Sequence, residues 1–386
     1  MGCVHILYLI PGLDGSGGAE RAVAALAGPY QQRGVQLDVV TFNGRDGLAG
    51  EVEAAGATVL TLPAASMPKL AIEVRGLVRA RRPDLVHTTL FDADLPGRVG
   101  ARLGGVPVVS SLVNVAYGPE QRANPALTTW KLEVARAADR GTAKLARRFH
   151  ALSAHVATVM GRRLGIPADH IDVVPRGRDA GLLGEPSEQR RASVRAALGV
   201  DASCPLVVAA ARHEYQKGLD VLIRAWPEVR RAEPGARLLI GGRRGSETAL
   251  LERLIAEQRA GVGSDPGIEM IGARDDVPDL LGAADAFVVP SRWEGLGSIL
   301  VEAMALGAPV VASDVGPIPE VVGESWARLV PPDDPPALAA AVVATLRQSP
   351  DERLRRAAVA RHRFSSRFTL DAVADAMVAF YARALG

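Results

Sequence analysis

Along the chain, short runs of Val, Ile and Leu alternate with longer Ala-, Arg- and Leu-rich stretches whose apolar positions recur every three to four residues. A short apolar run bounded by polar residues reads as a strand buried on both faces, and the longer periodic stretch as the helix that covers it. The alternation therefore predicts βαβ units and a parallel sheet, an α/β fold. In the first half the predicted strands are 4–10, 35–42, 57–62, 85–88, 106–112, 149–152 and 171–174, separated by helical stretches such as 19–33 and 92–103. The second half repeats the scheme with strands at 206–211, 236–241, 268–271, 286–289, 309–313 and 327–330. A Gly- and Pro-containing segment near 179–186 suits a linker. The predicted domains are 1–183 and 184–364, with the helical stretch 364–386 belonging to either half on pattern alone.

Composition narrows the class. The chain has 386 residues, enough for two domains, and 48% of them are hydrophobic but only 4% aromatic, so the cores are built from Ala, Val and Leu. Disorder and most all-β folds are excluded. Formal net charge is +2, too close to balance to argue for a nucleic-acid partner. Residues 1–184 carry 21 basic and 16 acidic side chains and the remainder 24 and 27, giving +5 and −3. Much of the asymmetry comes from Lys131, Arg136, Arg140, Lys144, Arg147 and Arg148, set against Glu133 and Asp139. That segment reads either as a solvated helix face or as an interfacial helix in peripheral contact with anionic membrane lipid. Cys3 and Cys204, some 200 residues apart, suggest neither a disulfide framework nor a metal site and are expected to be reduced, buried thiols. No apolar segment approaches the ~20 residues of a membrane span, and the first apolar run has no basic segment before it, so a soluble, unprocessed cytoplasmic protein is expected.

Three segments at predicted strand ends carry chemistry. After the first strand comes Pro11-Gly12-Leu13-Asp14-Gly15-Ser16-Gly17-Gly18-Ala19-Glu20-Arg21, a glycine-rich turn opening a helix, where backbone N–H groups can approach a phosphate. A dinucleotide fingerprint would place a third glycine where Glu20 stands, which disfavours NAD. After the strand ending at 211 come Arg212 and Lys217, cations at the end of a parallel strand where doubly wound sheets bind ligands. Lys217 is the only lysine of the second half in a chain that otherwise uses arginine. After the strand 286–289 comes Ser291-Arg292-Trp293-Glu294-Gly295-Leu296-Gly297-Ser298-Ile299-Leu300-Val301-Glu302, with Glu294 in a loop, Glu302 in the second turn of a helix starting near Gly297, and free amides at Gly297 and Ser298. For each segment a bland reading stands beside the functional one: a tight turn, surface cations, a capped and solvated helix.

Taken together, these residues resemble the retaining glycosyltransferases of GT-B architecture in glycosyltransferase family 4. The carriers are Gly17-Gly18-Ala19-Glu20-Arg21, Arg212 with Lys217, the Glu294-to-Glu302 E-x7-E element followed by Ala303-Met304-Ala305, and Ala308-Pro309-Val310-Val311-Ala312-Ser313 with Gly316 and Glu320-Val321-Val322. The resemblance implies two Rossmann-like domains facing across a cleft, with about residues 365–386 crossing back to the N-terminal one. It implies a hexosyltransferase that moves a sugar from a nucleoside diphosphate donor, UDP or GDP, to a hydroxyl acceptor such as a glycan, a lipid-linked glycan or a small natural product. By position, Arg212 and Lys217 would hold the pyrophosphate and Glu294 the transferred sugar, these three being the catalytic set. Glu302 would bind the ribose, Leu296, Gly297 and Ser298 would offer amides, Arg274 would lie by the base, and Gly17 and Gly18 would meet the diphosphate. Two cations can serve a departing diphosphate, and no DxD-like cluster stands beside the motifs, so neither cofactor nor metal is expected. The sequence departs from the family where a histidine often follows the strand 106–112, since Val113 and Asn114 stand there. His87 and Asn114 are the acceptor-side candidates. A non-catalytic nucleotide-sugar-binding partner and a GT-B nucleotide-sugar epimerase are the alternatives.

Overall fold

The structure, a computed structural model, describes residues 3–15, 17–44, 47–122, 128–262, 265–323 and 326–386. It divides into two compact units, Met1–Asp179 with Arg367–Gly386, and Ala180–Ser366.

Unit 1 is built on a seven-stranded parallel sheet of order β3-β2-β1-β4-β5-β6-β7. The strands are β1 (Val4–Leu9), β2 (Val35–Thr41), β3 (Thr58–Thr61), β4 (Leu85–Thr89), β5 (Val108–Leu112), β6 (Arg148–Ala151) and β7 (Ile171–Val173). The period-two geometry of a strand sorts β1 between two cores. Ile6, Tyr8 and Ile10 face Val23, Ala27 and Tyr30 of the helix Gly18–Gln32 together with Val373, Met377, Phe380 and Tyr381 of the closing helix Leu370–Leu385. Leu7 and Leu9 face the opposite layer, among Leu70, Val74, Val78, Ala93 and Ala101. The sheet order reverses between β1 and β4, which places the glycine-rich loop after β1 and the end of β4 at the crevice of a doubly wound sheet.

Unit 2 repeats the plan with six parallel strands in the order β10-β9-β8-β11-β12-β13. They are β8 (Leu206–Ala210), β9 (Arg237–Gly241), β10 (Ile268–Gly272), β11 (Ala286–Val289), β12 (Val310–Ser313) and β13 (Ala327–Val330). Its core gathers Val207, Ala209, Val288 and Val311 from the sheet around Trp226, whose indole N–H donates to the carbonyl of Pro266 at 2.7 Å. Here the reversal lies between β8 and β11.

Three differences from the sequence reading have local causes. The periodic stretch 364–386 is two helices, because Pro350–Arg367 ends and Thr369 caps a new helix, its hydroxyl accepting from the N–H of Ala372 at 3.3 Å. At that break the chain bridges to Arg178: the N–H of Arg178 donates to Phe368 O and that of Leu370 to Arg178 O, at 2.9 and 3.1 Å. Gly177 is required beside it, since a Cβ there would stand 2.8 Å from Thr369 O. The boundary between the units falls after Asp179 rather than after Leu183, since the short helix Ala180–Leu183 packs on the helix Ser298–Leu306 and buries Leu183. The cysteines are not buried: Cys3 is exposed and Cys204 half-buried, because each lies before the first residue of its strand, outside the layer that the helices cover. Among the described residues, no helix is long and apolar enough to cross a membrane.

Candidate functional site

The loops after β8 and β11 leave adjacent strands at the reversal point of unit 2, and hydrogen bonds tie them together. Lys217 ends a short 3-10 turn, Tyr215–Lys217, and Gly218 follows at φ +60, a left-handed backbone that favours glycine. Glycine is also demanded by space, since a Cβ on Gly218 would stand 2.0 Å from the carbonyl oxygen of Pro290. That close approach brings Lys217 Nζ to 2.6 Å from Glu294 Oε1. The same oxygen accepts from Ser291 Oγ at 2.8 Å. Gln216 Nε2 donates to Trp293 O, and the Arg292 N–H to Gln216 O, each at 2.8 Å.

Arg292 locks the arrangement from below. Its guanidinium forks onto both oxygens of buried Asp220 at 3.0 and 2.9 Å, donates to Tyr215 O, and stacks on the Tyr215 ring at 4.2 Å. Asp220 holds the guanidinium's charge above its already high range despite burial, so the clamp stays ionised. Gly297, at φ +75, opens the helix Ser298–Leu306 with no side-chain cap, and the N–H groups of Gly297 and Ser298 make no hydrogen bond among the described residues. Leu296 is buried beneath this turn, and Glu302 is half-buried in the helix's second turn. Together these groups can present a cation, a carboxylate and unfilled helix amides to one anionic, polyhydroxylated ligand.

The remaining residues singled out in the sequence lie differently. Arg212 is exposed and its guanidinium has no partner among the described residues. Arg274 is exposed and forks onto Asp276 at 2.8 and 2.5 Å, so its charge is already matched. In unit 1, Glu20 explains its own place in the glycine-rich loop: its carboxylate accepts from the N–H of Gly17 at 3.0 Å and caps the helix that begins at Gly18. Ser16 of this loop lies outside the described residues. Asn114 accepts the N–H of its neighbour Val115 at 2.9 Å.

His87 is fully engaged as a structural group. His150 Nε2 lies 2.8 Å from the carbonyl of Val174, which can only accept, so this nitrogen carries the proton and Nδ1 accepts. Ser111 Oγ then donates to His150 Nδ1 at 2.8 Å and accepts from His87 Nε2 at 2.7 Å. His87 Nδ1 in turn accepts from Tyr381 OH at 2.8 Å. One backbone carbonyl thus sets the tautomers of two histidines and anchors the closing helix to the sheet. Burial drives both imidazoles toward neutrality, His87 well below its ordinary range and His150 to about 4, the latter partly offset by the Val174 carbonyl. A pocket of about 520 Å³, counting space open to solvent, lies beside this chain among Tyr8, Thr89, Val113, Leu152, Arg176 and Met377. Both ring nitrogens of His87 are thus engaged, and neither is left for a substrate proton.

Residues 17–177 match the family "Glycosyl transferase 4-like domain" and residues 204–348 match "Glycosyl transferases group 1". A D-inositol 3-phosphate glycosyltransferase of Acidothermus cellulolyticus is 30% identical over 415 residues, covering 97% of this chain and 88% of that one. The chain belongs to the GT4-type glycosyltransferases. Another D-inositol 3-phosphate glycosyltransferase, from Segniliparus rotundus, is 36% identical over 216 residues, a match spanning 56% of this chain and 47% of the relative. The lipopolysaccharide core biosynthesis mannosyltransferase LpsB of Rhizobium meliloti is 32% identical, across 54% of this chain and 60% of that protein. The chain thus spans about half the length of these last two relatives. Anabaena Alr3699/HepE, solved in complex with UDP and glucose, superposes with a TM-score of 0.82 at 25% identity, covering 98% of this chain and 100% of that one. The GT-B family fold accounts for the two parallel-sheet units.

Within this family the sequence signals were uneven. Lys217 and Glu294 were visible as motif residues, but Ser291, Gln216, Arg292 and Asp220 were not singled out. Asp220 carried the clearest signal, an acidic residue on the first turn of a strongly amphipathic helix, Leu219–Ala232, where it is 5% exposed.

Proposed function

We propose that this chain is a retaining hexosyltransferase that takes a UDP- or GDP-sugar and transfers the sugar to a hydroxyl acceptor without a metal. The observation that carries the reading is the meeting of Lys217 and Glu294 beside an uncapped helix N-terminus at the reversal point of unit 2. Lys217, with Arg212 free to swing, would neutralise the charge that grows on the diphosphate as the anomeric bond breaks. Glu294 would hold hydroxyls of the moving sugar, Glu302 the ribose, and the amides of Leu296, Gly297 and Ser298 the phosphate oxygens. In the retaining step the C1–O bond to the β-phosphate breaks and the acceptor oxygen bonds C1 on the same face. The acceptor's proton passes to a departing phosphate oxygen, a route that uses neither His87 nor a base at Val113.

A thermal-shift panel of UDP-, GDP-, ADP- and dTDP-sugars tests donor binding; a ligand at 100 times its Kd adds about 2.7 kcal/mol. One sugar nucleotide is expected to raise the midpoint. NMR of the product should show the donor's anomeric configuration, and EDTA should leave the rate unchanged. An inverted product would overturn retention, binding without transfer would favour the non-catalytic reading, and an epimer formed without acceptor would favour the epimerase.

A peripheral membrane contact through the helix Thr129–Ala143 is part of the proposal. Trp130 and Val134, one turn apart, are 64% and 60% exposed; Lys131 adjoins Trp130, and exposed Arg140 and Lys144 lie farther along the same segment. Arg148 leaves this set: it lies in β6 and pairs with Asp172 at 2.8 Å. Arg136 is matched by Glu133 at 2.8 Å. Flotation with phosphatidylglycerol vesicles should recover the chain, and flotation with phosphatidylcholine vesicles should not; equal recovery would overturn it.

A further inference from the structure

Glu294 receives both of its hydrogen bonds on one oxygen. Lys217 Nζ and Ser291 Oγ lie 2.6 and 2.8 Å from Oε1, while Oε2 has no partner among the described residues and is not sealed from solvent. Ser291 is 1% exposed and lies two residues past the end of β11 and three before Glu294, so its hydroxyl is held away from bulk solvent. Lys217 is different, with a side chain 20% exposed on a flexible stem.

From this asymmetry, and resting on the proposed donor site, we infer that Ser291 is a positioning residue for Glu294. When the diphosphate draws Lys217 away, the carboxylate loses its charged partner, and Ser291 alone keeps Oε1 in place. Oε2 then stays turned toward the sugar hydroxyls. Without the Ser291 hydroxyl, the Glu294 carboxylate would rotate or follow Lys217, and the sugar would be held loosely although the diphosphate is still gripped. The role is therefore confined to the sugar half of the ligand.

The experiment is calorimetric titration of the full chain with the sugar nucleotide chosen by the donor panel, and separately with its nucleoside diphosphate. Ser291→Ala should weaken the sugar nucleotide about tenfold, the loss of one hydrogen bond to a charged group, and leave the diphosphate within about twofold. Ser291→Thr, which keeps the hydroxyl, should restore the sugar-dependent part; Ser291→Cys, a weaker donor of nearly the same size, reads the same loss if the alanine variant does not fold. A purely structural role would weaken both ligands together. Equal weakening of both ligands, or wild-type binding of both by Ser291→Ala, overturns the inference. Should Glu294→Gln also bind the sugar nucleotide as the wild type does, or should no sugar nucleotide bind at all, the donor-site reading beneath it fails as well.

Discussion

Lys217 Nζ lies 2.6 Å from Glu294 Oε1, joining the loop after β8 to the loop after β11 where the sheet order of unit 2 reverses. Both groups are mostly buried, so each offsets the charge that burial leaves on the other.

Lys217→Ala and Glu294→Ala should each lower turnover by about 10² to 10³. The double variant should lose little more than either single one, because groups acting as a unit are not additive. Initial rates on the panel-selected donor, with circular dichroism to confirm the fold, check both statements.

Gly218 sets how closely the loops approach. Gly218→Ala combines a left-handed backbone with a Cβ driven into Pro290 O, and should cost about 2–3 kcal/mol or more. Gly282→Ala is the control, since a Cβ there meets nothing within 4 Å and the residue lies in the helix Val277–Ala283. It should be neutral or stabilise by about 0.5–1 kcal/mol. Urea unfolding midpoints separate the two.

In unit 1, Tyr381→Phe removes the donor to His87 Nδ1 and leaves a buried acceptor unsatisfied. A loss of about 1–3 kcal/mol is expected. Donor binding should be unchanged, because every donor-side group proposed in unit 2 is untouched; a calorimetric titration beside the unfolding curve shows both.

Acid should weaken unit 1. The folded pKa of His150, about 4, lies below the ordinary 6.5, so the folded state binds fewer protons than the unfolded state between these values. Its contribution is complete above about pH 6.5 and is lost as pH falls toward 4, on the order of 3 kcal/mol; His87 acts in the same direction. Asp94 opposes this, since burial raises its folded pKa to about 6 against the pull of Arg98, so stability from Asp94 is lost as pH rises from 3.8 through 6. Asp94→Asn should therefore steepen the acid loss, measured as unfolding free energy at pH 7 and pH 5. A shallower dependence would contradict the assignment.

The strands were legible because parallel strands buried on both faces are continuous apolar runs, and every predicted run coincides with a strand to within about two residues. Lys217 was legible as the only lysine of the second half and Glu294 as the first carboxylate of the E-x7-E element, each in a loop that follows a strand. What stayed hidden depends on tertiary contact: that Ser291 turns inward, that Arg292 forks onto Asp220 some 70 positions away, and that His87 spends both nitrogens on Ser111 and Tyr381. The apparent buried thiols failed for the same reason, since an apolar run does not reveal where its first residue meets solvent. Arg148 looked like part of a basic helix because one-dimensional charge counting does not register the turn at Lys144 that starts the way to β6.

On the proposed reading, Lys217 and Glu294 serve sugar departure from a nucleoside diphosphate. The rate of sugar release or transfer from the panel-selected nucleotide sugar, compared between the wild type and Lys217→Met, tests it most directly. A loss of about 10² or more with the fold retained is the predicted result; a Lys217→Met variant that matches the wild-type rate would contradict it.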